Sequence, residues 1–170
     1  MARAPTAKKK APPGKGGRAD GGGAIKIIAN NRKARFDYDL MERSEAGIVL
    51  VGTEVKSLRL GNLNLTDAYC AIGRGAEVFL HEAHISVYAN GTHGNHEPRR
   101  VRKLLLNKRE IRRLAQKVRE KGLTIVPTRM YFKRGKAKVE IALAKGRKKF
   151  DKSEQIKERD AQRDLKRQLS

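Results

Sequence analysis

The sequence is poor in cysteine, in aromatic side chains and in acidic residues. Cys70 is its single cysteine, which excludes an internal disulfide framework and is typical of a reducing compartment. Tryptophan is absent, and no run approaches the roughly 18 apolar residues of a membrane-spanning helix. The opening segment, MARAPTAKKKAPPGKGG, lacks the apolar core of a secretory signal. We therefore expect a cytoplasmic chain without a membrane partner.

Sequence patterns of catalysis and of metal binding are also missing. No glycine-rich phosphate loop, metal–carboxylate motif or nucleophile elbow occurs. Of the histidines, His81 and His84 would point to opposite faces of a strand, which makes them poor metal ligands together. The sequence predicts no metal site, no cofactor and no small-molecule substrate. An RNA-modifying enzyme stays open as an alternative, although the acids within 37–45 alternate with apolar residues, as on the wet face of a strand.

Positive charge is what the chain has in excess. Its 170 residues include 40 Lys and Arg against 18 Asp and Glu, which gives a net charge of +22. Such an excess says nothing about the fold, but it indicates a partner rich in phosphate, and nucleic acid is the first candidate. Residues 1–24 combine Ala, Lys, Gly and Pro without apolar periodicity, so they predict a disordered basic tail.

Short strand patterns dominate the middle of the chain. Alternating or continuous apolar runs predict strands over 35–41, 46–51, 64–72, 77–87, 123–132 and 137–145. Pro127 indicates that its strand is bulged or at an edge. The order predicts a mainly β fold, an antiparallel barrel of the oligonucleotide-binding type with flanking α-helices, over residues 25–146. Residues 53–61 predict a short helix that Gly61 closes. A ferredoxin-like sandwich is the alternative fold, but it needs a longer helix at this position.

The clearest predicted helix lies between these strands. Asn107 is its cap, Glu110 stands at the third helical position, and Gly122 ends it in the left-handed conformation. Its exposed face is basic, and so are residues 99–103 before it. Such a face is either an RNA contact or a solubilising surface, and the same alternatives apply to the basic segment 31–35, which could also bind backbone phosphates.

The alternating pattern of the last strand stops at Gly146, and a highly charged tail, residues 147–170, follows. This tail buries too little apolar surface to offset its ordering entropy, so we expect it to be disordered alone. Its acids and bases are mixed, and Asp151 followed by Glu154 has capping-box spacing. The tail is therefore predicted to become helical on an RNA-rich surface.

Several segments resemble the SsrA-binding protein family, also called small protein B. They are NRKAR (31–35), EAG (45–47), GTEVKSLR (52–59), RKLLLN (102–107) and AKG (144–146). The resemblance implies a non-enzymatic bacterial partner of transfer-messenger RNA with an oligonucleotide-binding-type barrel. It implies binding to the tRNA-like domain of that RNA and entry into stalled ribosomes that lack a codon in the decoding site. The C-terminal tail would become helical in the empty mRNA channel.

The resemblance and the basic segment together give a list of expected contacts. The RNA-binding residues are Asn31, Arg32, Lys33, Arg35, Glu45, Leu105, Asn107, Lys138 and Lys145. The ribosome-binding tail residues are Gly146, Arg147, Lys148, Lys149, Phe150, Asp151 and Lys152. Arg147 stands where the family motif has Lys, which alters phosphate geometry, and Ser153 replaces the final Arg of that motif.

Two of these residues keep open alternatives. Glu45 either orders a neighbouring arginine or accepts hydrogen bonds from base amino groups. Leu105 belongs either to the RNA site or to the core, because some of the leucines at 104–106 must face inward. For the whole chain, the alternative function is a structural ribosomal or RNA-chaperone protein whose tails fill gaps between phosphates. The mixed charge of the tail favours the ribosome-rescue reading.

Overall fold

The structure, a computed structural model, describes residues 24–91 and 94–168. Its strands and helices in chain order are β1 (Ile25–Asn30), α1 (Arg32–Asp37), β2 (Tyr38–Ile48), α2 (Gly52–Arg59), β3 (Leu63–Asn64), β4 (Tyr69–Gly73), β5 (Glu77–His81), β6 (His84–Ile85), β7 (Arg102–Leu105), α3 (Lys108–Lys121), β8 (Thr124–Lys133), β9 (Lys136–Gly146) and α4 (Lys149–Gln168). Residues 1–23 of the predicted N-terminal tail lie outside the described residues. Within the described ranges, every helix is too short or too polar to cross a membrane.

Antiparallel pairing closes the main sheet into a barrel. The order of its seven strands is β1-β8-β4-β5-β7-β2-β9, and β8 also pairs with β9, which closes the ring. Strand β1 pairs with β8 outside that ring, and β3 and β6 form a separate small sheet. Closure removes the exposed strand edges that an open sheet would present. The predicted mainly β barrel with flanking helices is confirmed.

The barrel core is formed by every second residue of its strands, those whose side chains point inward. Val139, Ile141 and Leu143 of β9 are buried in one cluster with Met130 of β8, as the period of two requires. Helix α3 adds Ile111 and Leu114 to the same cluster. Each fully buried large apolar side chain contributes about 1.5–3 kcal/mol. The side chains of β2, β8 and β9 that point away from this cluster form the outer face of the barrel, and α1 covers part of that face where Ala34 packs on Val126 and Ala144.

The strongest local signals predicted their elements well. Helix α3 begins after Asn107, whose backbone N–H donates to Glu110 Oε2 at 3.1 Å, and it ends at Gly122 with φ of 59°. Strands β8 and β9 match the strands predicted over 123–132 and 137–145 and pair as a hairpin, and their register shifts between Pro127 and Arg129, as expected of a bulge. Helix α2 also matches its predicted position.

The N-terminal part of the barrel differs from the prediction. Residues 35–41 and 46–51 were expected to be two strands, but 35–37 end helix α1 and a single β2 runs from Tyr38 to Ile48. The helix forms because Asn31 Oδ1 accepts from the N–H of Ala34 at 2.9 Å and starts a turn. Strand β2 then stays continuous because it pairs with β9 along most of its length.

Other strands are shorter than predicted, and two were missed. The run 64–72 contains a turn in which the N–H of Ala68 donates to Leu65 O at 3.1 Å. The run 77–87 is broken at Glu82, whose φ is 55°. Strands β1 and β7 have no alternating pattern of their own, and they form because they pair with β8, β5 and β2.

Candidate nucleic-acid interface

Three expected RNA-binding residues meet on the outer face of the barrel: Glu45, Leu105 and Lys138. Gly47 of β2 lies opposite Leu105 of β7 on one side and opposite Lys138 of β9 on the other. Lys138 in turn lies opposite Tyr131 of β8. Residues in register on neighbouring strands share a face, so they form a row across the sheet. We call this row, together with Glu45, Lys133 and Lys136 beside it, the outer-face cluster.

Leu105 is the apolar member of this cluster. It is 52% exposed, whereas its neighbour Leu104 is 2% exposed and belongs to the core. A Cβ at Gly47 would lie 3.2 Å from Leu105 Cβ, so the glycine lets Leu105 lie close against β2. Leu105 borders a cleft of about 440 Å³ whose walls include Val55 and Phe132. Of the two alternatives for Leu105, the surface position is the one that the structure has.

Glu45 lies two residues before Gly47 and is held by its neighbours. Its Oε2 accepts a hydrogen bond from the hydroxyl of Tyr131, and Lys133 Nζ lies 3.2 Å from the same oxygen. The hydrogen bond from Tyr131 lowers the pKa of Glu45 below its ordinary value; burial opposes this shift and Lys133 adds to it. The cation beside Glu45 is therefore Lys133 and not an arginine, and Tyr131 is the second donor. The carboxylate is ionised at neutral pH.

A second cleft opens beside Glu45. It has a volume of about 260 Å³ and is lined by Glu45, Lys133, Arg134, Lys136 and Lys138. Lys136 and Lys138 line this cleft and the Leu105 cleft alike. A carboxylate cleft and an apolar cleft therefore lie side by side with two ammonium groups between them.

The expected contacts at residues 31–35 lie on helix α1. The side chain of Asn31 is 2% exposed; its Nδ2 donates to Leu65 O at 2.7 Å and to Pro127 O at 3.0 Å. Its Oδ1 caps α1, so both ends of the amide are used inside the protein. Arg32, Lys33 and Arg35 are exposed on the helix that Asn31 starts. Lys33 Nζ forms a surface ion pair with Asp67 at 2.8 Å.

Lys145 lies near α1 and away from the outer-face cluster. It pairs with Asp39 at the start of β2, and Gly146 pairs with Tyr38. The six residue steps along β2 from Asp39 to Glu45 correspond to about 20 Å of strand. The structure thus divides the expected RNA contacts into the outer-face cluster and an α1 patch, which consists of Arg32, Lys33, Arg35 and Lys145. Asn107 belongs to neither set, because it lies at the start of α3, where it is exposed.

The tail begins at the α1 end of the barrel. The N–H of Arg147 donates to Asp37 O at 3.0 Å, and Lys148 is exposed. The backbone of Lys149, Phe150, Asp151 and Lys152 is helical in α4, and their side chains lie outside what the structure describes. Further along α4, the Arg159 guanidinium lies 5.8 Å from the centroid of the Phe36 ring. That the tail is unfolded until it reaches the ribosome stays a prediction.

Two of the arginines before α3 are structural. Arg102 is 0% exposed and donates to Glu54 Oε1 at 2.8 Å and to Ala83 O at 2.7 Å. Arg100 donates to Glu54 Oε2 at 2.6 Å. Burial by itself would raise the pKa of Glu54, but the hydrogen bonds from Arg100 and the Val51 N–H, with the charge of Arg102, lower it overall. The alternative of an RNA contact at Arg102 is wrong, because its buried guanidinium is taken up by Glu54 and by the carbonyls of Ala83, Pro98 and Arg100.

The histidines have separate environments. His96 is buried and makes hydrogen-bond contacts with Thr53 Oγ1 at 2.9 Å and with Ile85 O at 3.1 Å. His81 stacks on Tyr69 with ring centroids 5.0 Å apart. His93 lies outside the described residues. In the part of the chain that is described, no group of His, Cys, Asp and Glu could hold a metal ion.

The sequence reasoning missed Tyr131, Lys133 and Lys136. Tyr131 and Lys133 alternate with Met130 and Phe132, which are buried in the core. This period of two was available in the sequence and indicates one outward face for residues 129, 131 and 133. What the sequence could not give is the register that places this face beside Glu45.

Comparisons with known proteins agree on a family. Residues 28–170 match the family model described as SmpB protein. An SsrA-binding protein of Carboxydothermus hydrogenoformans is 56% identical over 144 residues, which covers 85% of this chain and 96% of the relative. That of Acidothermus cellulolyticus is 57% identical over 144 residues, with 85% and 90% covered. A solved chain described as "tmRNA-SmpB: a journey to the center of the bacterial ribosome" has 49% identity and a TM-score of 0.60, with 71% of this chain and 85% of that chain covered. The chain therefore belongs to the SmpB protein family.

Proposed function

We propose that this chain is a non-enzymatic adaptor that binds transfer-messenger RNA and brings it to stalled ribosomes. The observation that carries the proposal is the outer-face cluster, in which Glu45, Leu105 and Lys138 surround two adjoining clefts. Relatives that are more than half identical are named SsrA-binding proteins, and a similar solved chain is described as tmRNA-SmpB in the bacterial ribosome. A protein that acts on bacterial ribosomes would be located in the cytoplasm.

The clefts suit an unpaired RNA loop of the kind found in a tRNA-like domain. Loops expose base edges and base faces that proteins read by hydrogen bonds and apolar contact. Glu45 offers an acceptor for a base edge, and Leu105 offers an apolar surface for a base or ribose. Lys136 and Lys138 lie between them, where a connecting phosphate would be neutralised. The net charge of +22 adds long-range attraction to any RNA without selecting one.

The α1 patch supplies a second, phosphate-binding surface in this proposal. Arg32, Lys33, Arg35 and Lys145 are exposed and lie where the tail leaves the barrel. Asn31 has a different role from them, since its buried amide holds α1 in place and offers RNA no free group. Asn107 caps α3 close to Leu105 and contributes by fixing the end of β7.

The tail has the sensing role. We propose that residues 147–170 are disordered in the free protein and form a helix in the empty mRNA channel, with Gly146–Lys152 at the decoding site. A segment that folds only on its target incurs its ordering cost there, so an occupied channel would leave it unfolded. The mixed charges of α4 fit RNA contact along one side with water on the other.

Truncation separates the two activities. A chain ending at Arg147 keeps the hydrogen bond between Arg147 and Asp37 and should bind a transcript of the tRNA-like domain with unchanged affinity. It should not support tagging in a reconstituted translation system stalled on an mRNA without a stop codon. Full-length Leu105→Asp is the matched control, because it keeps the tail and should lose affinity for the transcript.

The result of this experiment also separates the alternative function. Large loss of affinity for the transcript on truncation would contradict the division between barrel and tail. Binding of ribosomal RNA alone, found by sequencing the RNA captured with the full-length protein, would favour the structural ribosomal or RNA-chaperone protein instead.

A further inference from the structure

Glu45 brings a negative charge into a surface that is otherwise lysine-rich. A carboxylate near a phosphate chain is unfavourable by simple electrostatics. Here its charge is retained, because Tyr131 and Lys133 both donate to it. The two donors therefore hold an ionised acceptor beside the carboxylate cleft. An ionised carboxylate suits a hydrogen-bond donor as its ligand and does not suit phosphate.

Tyr131 is built as a rigid support for this carboxylate. The residue is 3% exposed, it lies opposite Ile27 of β1 and Lys138 of β9, and the Arg129 guanidinium lies 5.4 Å from its ring centroid. Its hydroxyl therefore has little freedom to move. The neighbouring Lys133 is partly exposed, so it adds charge and a second donor without fixing the geometry by itself.

The two donors leave one oxygen of Glu45 largely open. Tyr131 donates to Oε2, and Lys133 lies 3.2 Å from Oε2 but 3.4 Å from Oε1. An ionised carboxylate accepts hydrogen bonds only and has about four lone-pair positions. The Glu45 side chain is 37% exposed, so a donor can reach it from the cleft. The matching donors on an unpaired base are the exocyclic amino groups of cytosine, adenine and guanine, besides the ring N–H groups of guanine and uracil.

We infer that Tyr131 is a positioning residue, and that it holds Glu45 so that Oε1 accepts a hydrogen bond from the exocyclic amino group of one unpaired RNA base. The inference rests on the proposed function and names what the Glu45 cleft selects. Uracil lacks an exocyclic amino group and offers only its ring N3–H, so removal of the amino group is the change that tests the assignment. Lys136 and Lys138 take the adjoining phosphate and do not discriminate between bases.

Analogue interference tests the inference on the tRNA-like domain of transfer-messenger RNA. In separate transcript pools, inosine, purine riboside or pyrimidin-2-one riboside replaces guanosine, adenosine or cytidine, and each removes only the amino group. With the wild-type protein, amino-group removal at one unpaired position should weaken binding by about tenfold, the size of one hydrogen bond to a charged group. With Glu45→Ala, interference at that position should vanish while the interference at other positions stays.

The variants isolate the role of Tyr131. Tyr131→Phe keeps the buried ring and should lose the same single interference signal, and it should add nothing to Glu45→Ala in the double variant. Lys133→Met, at a partly exposed position, should weaken the signal without altering the melting temperature. Tyr88→Phe is the matched control, since that ring contacts Lys56 elsewhere, and it should behave as wild type.

Each contrary result has a distinct meaning. Identical interference patterns for wild type and Glu45→Ala, or a wild-type signal in Tyr131→Phe, would overturn the inference while leaving RNA binding intact. A further pool with 2′-deoxy substitution is probed in parallel, and loss confined to that pool would assign Glu45 to a ribose hydroxyl and overturn the base assignment. A wild-type protein that does not bind the transcript would overturn the proposed function itself.

Discussion

Asn31→Ala should destabilise the barrel, although it removes no group that contacts RNA. The side chain of Asn31 makes three hydrogen bonds, to Leu65 O, to Pro127 O and from the N–H of Ala34. Loss of the cap costs about 1 kcal/mol, and each buried carbonyl left without its donor costs at least about 1 kcal/mol. We therefore expect the free energy of unfolding to fall by about 3 kcal/mol, measured by urea denaturation.

Two companion variants make this test sharp. Asn31→Asp keeps the acceptor for Ala34 but replaces the donor amide, so it should be at least as destabilised as Asn31→Ala. Arg32→Ala, at an exposed position of α1, should keep its stability, bind RNA more weakly and reduce the salt dependence of binding by about one unit of slope. An Asn31→Ala protein of wild-type stability that binds RNA tenfold more weakly would refute the reasoning and make Asn31 a direct RNA contact.

Three further predictions follow from the same structure. Leu105→Asp should keep the wild-type melting temperature and lose RNA affinity, whereas Leu104→Ala should lose about 2–5 kcal/mol of stability; a large melting-temperature loss in Leu105→Asp would place it in the core. Glu54→Gln should lower the free energy of unfolding by about 3 kcal/mol at neutral pH, because Arg102 stays buried and charged. The folded-state pKa of Glu54 is lowered from 4.5, so the stability advantage of the wild type in denaturation should persist above pH 4.5 and disappear as the pH falls through that lowered value. Gln162→Pro should leave RNA affinity unchanged but reduce tagging, because proline inside a helix costs about 3 kcal/mol; full tagging would mean that the tail works in an extended form.

The elements that could be predicted from the sequence are those whose causes are local. Helix α3 combines a cap, an apolar stripe and a terminal glycine within one segment, and the structure has it where these signals place it. The β8–β9 hairpin likewise combines alternation with a turn at Arg134 and Gly135. Each of these signals acts between residues a few positions apart, so no knowledge of the rest of the fold was needed.

The elements that were missed depend on distant partners. Helix α1 is only six residues long, and its cap Asn31 is fixed by carbonyls of residues 65 and 127. Strand β7 begins with Arg102, whose burial is possible because Glu54 of α2 neutralises it. A buried arginine in a basic stretch is indistinguishable from a solvated one until its acid is known. Nonlocal pairing therefore explains why residues 99–103 suggested an RNA contact.

The candidate site shows the same division between chemistry and register. Glu45, Leu105 and Lys138 were expected to bind RNA, but their meeting depends on β2 lying between β7 and β9. The same register brings Tyr131 and Lys133 to Glu45, and the α1 patch lies about 20 Å of strand away. Forty cationic side chains give this protein attraction to any RNA, and attraction of that kind cannot choose among RNAs. Selection requires groups that phosphate does not satisfy, and in the outer-face cluster these are an ionised acceptor and an exposed leucine.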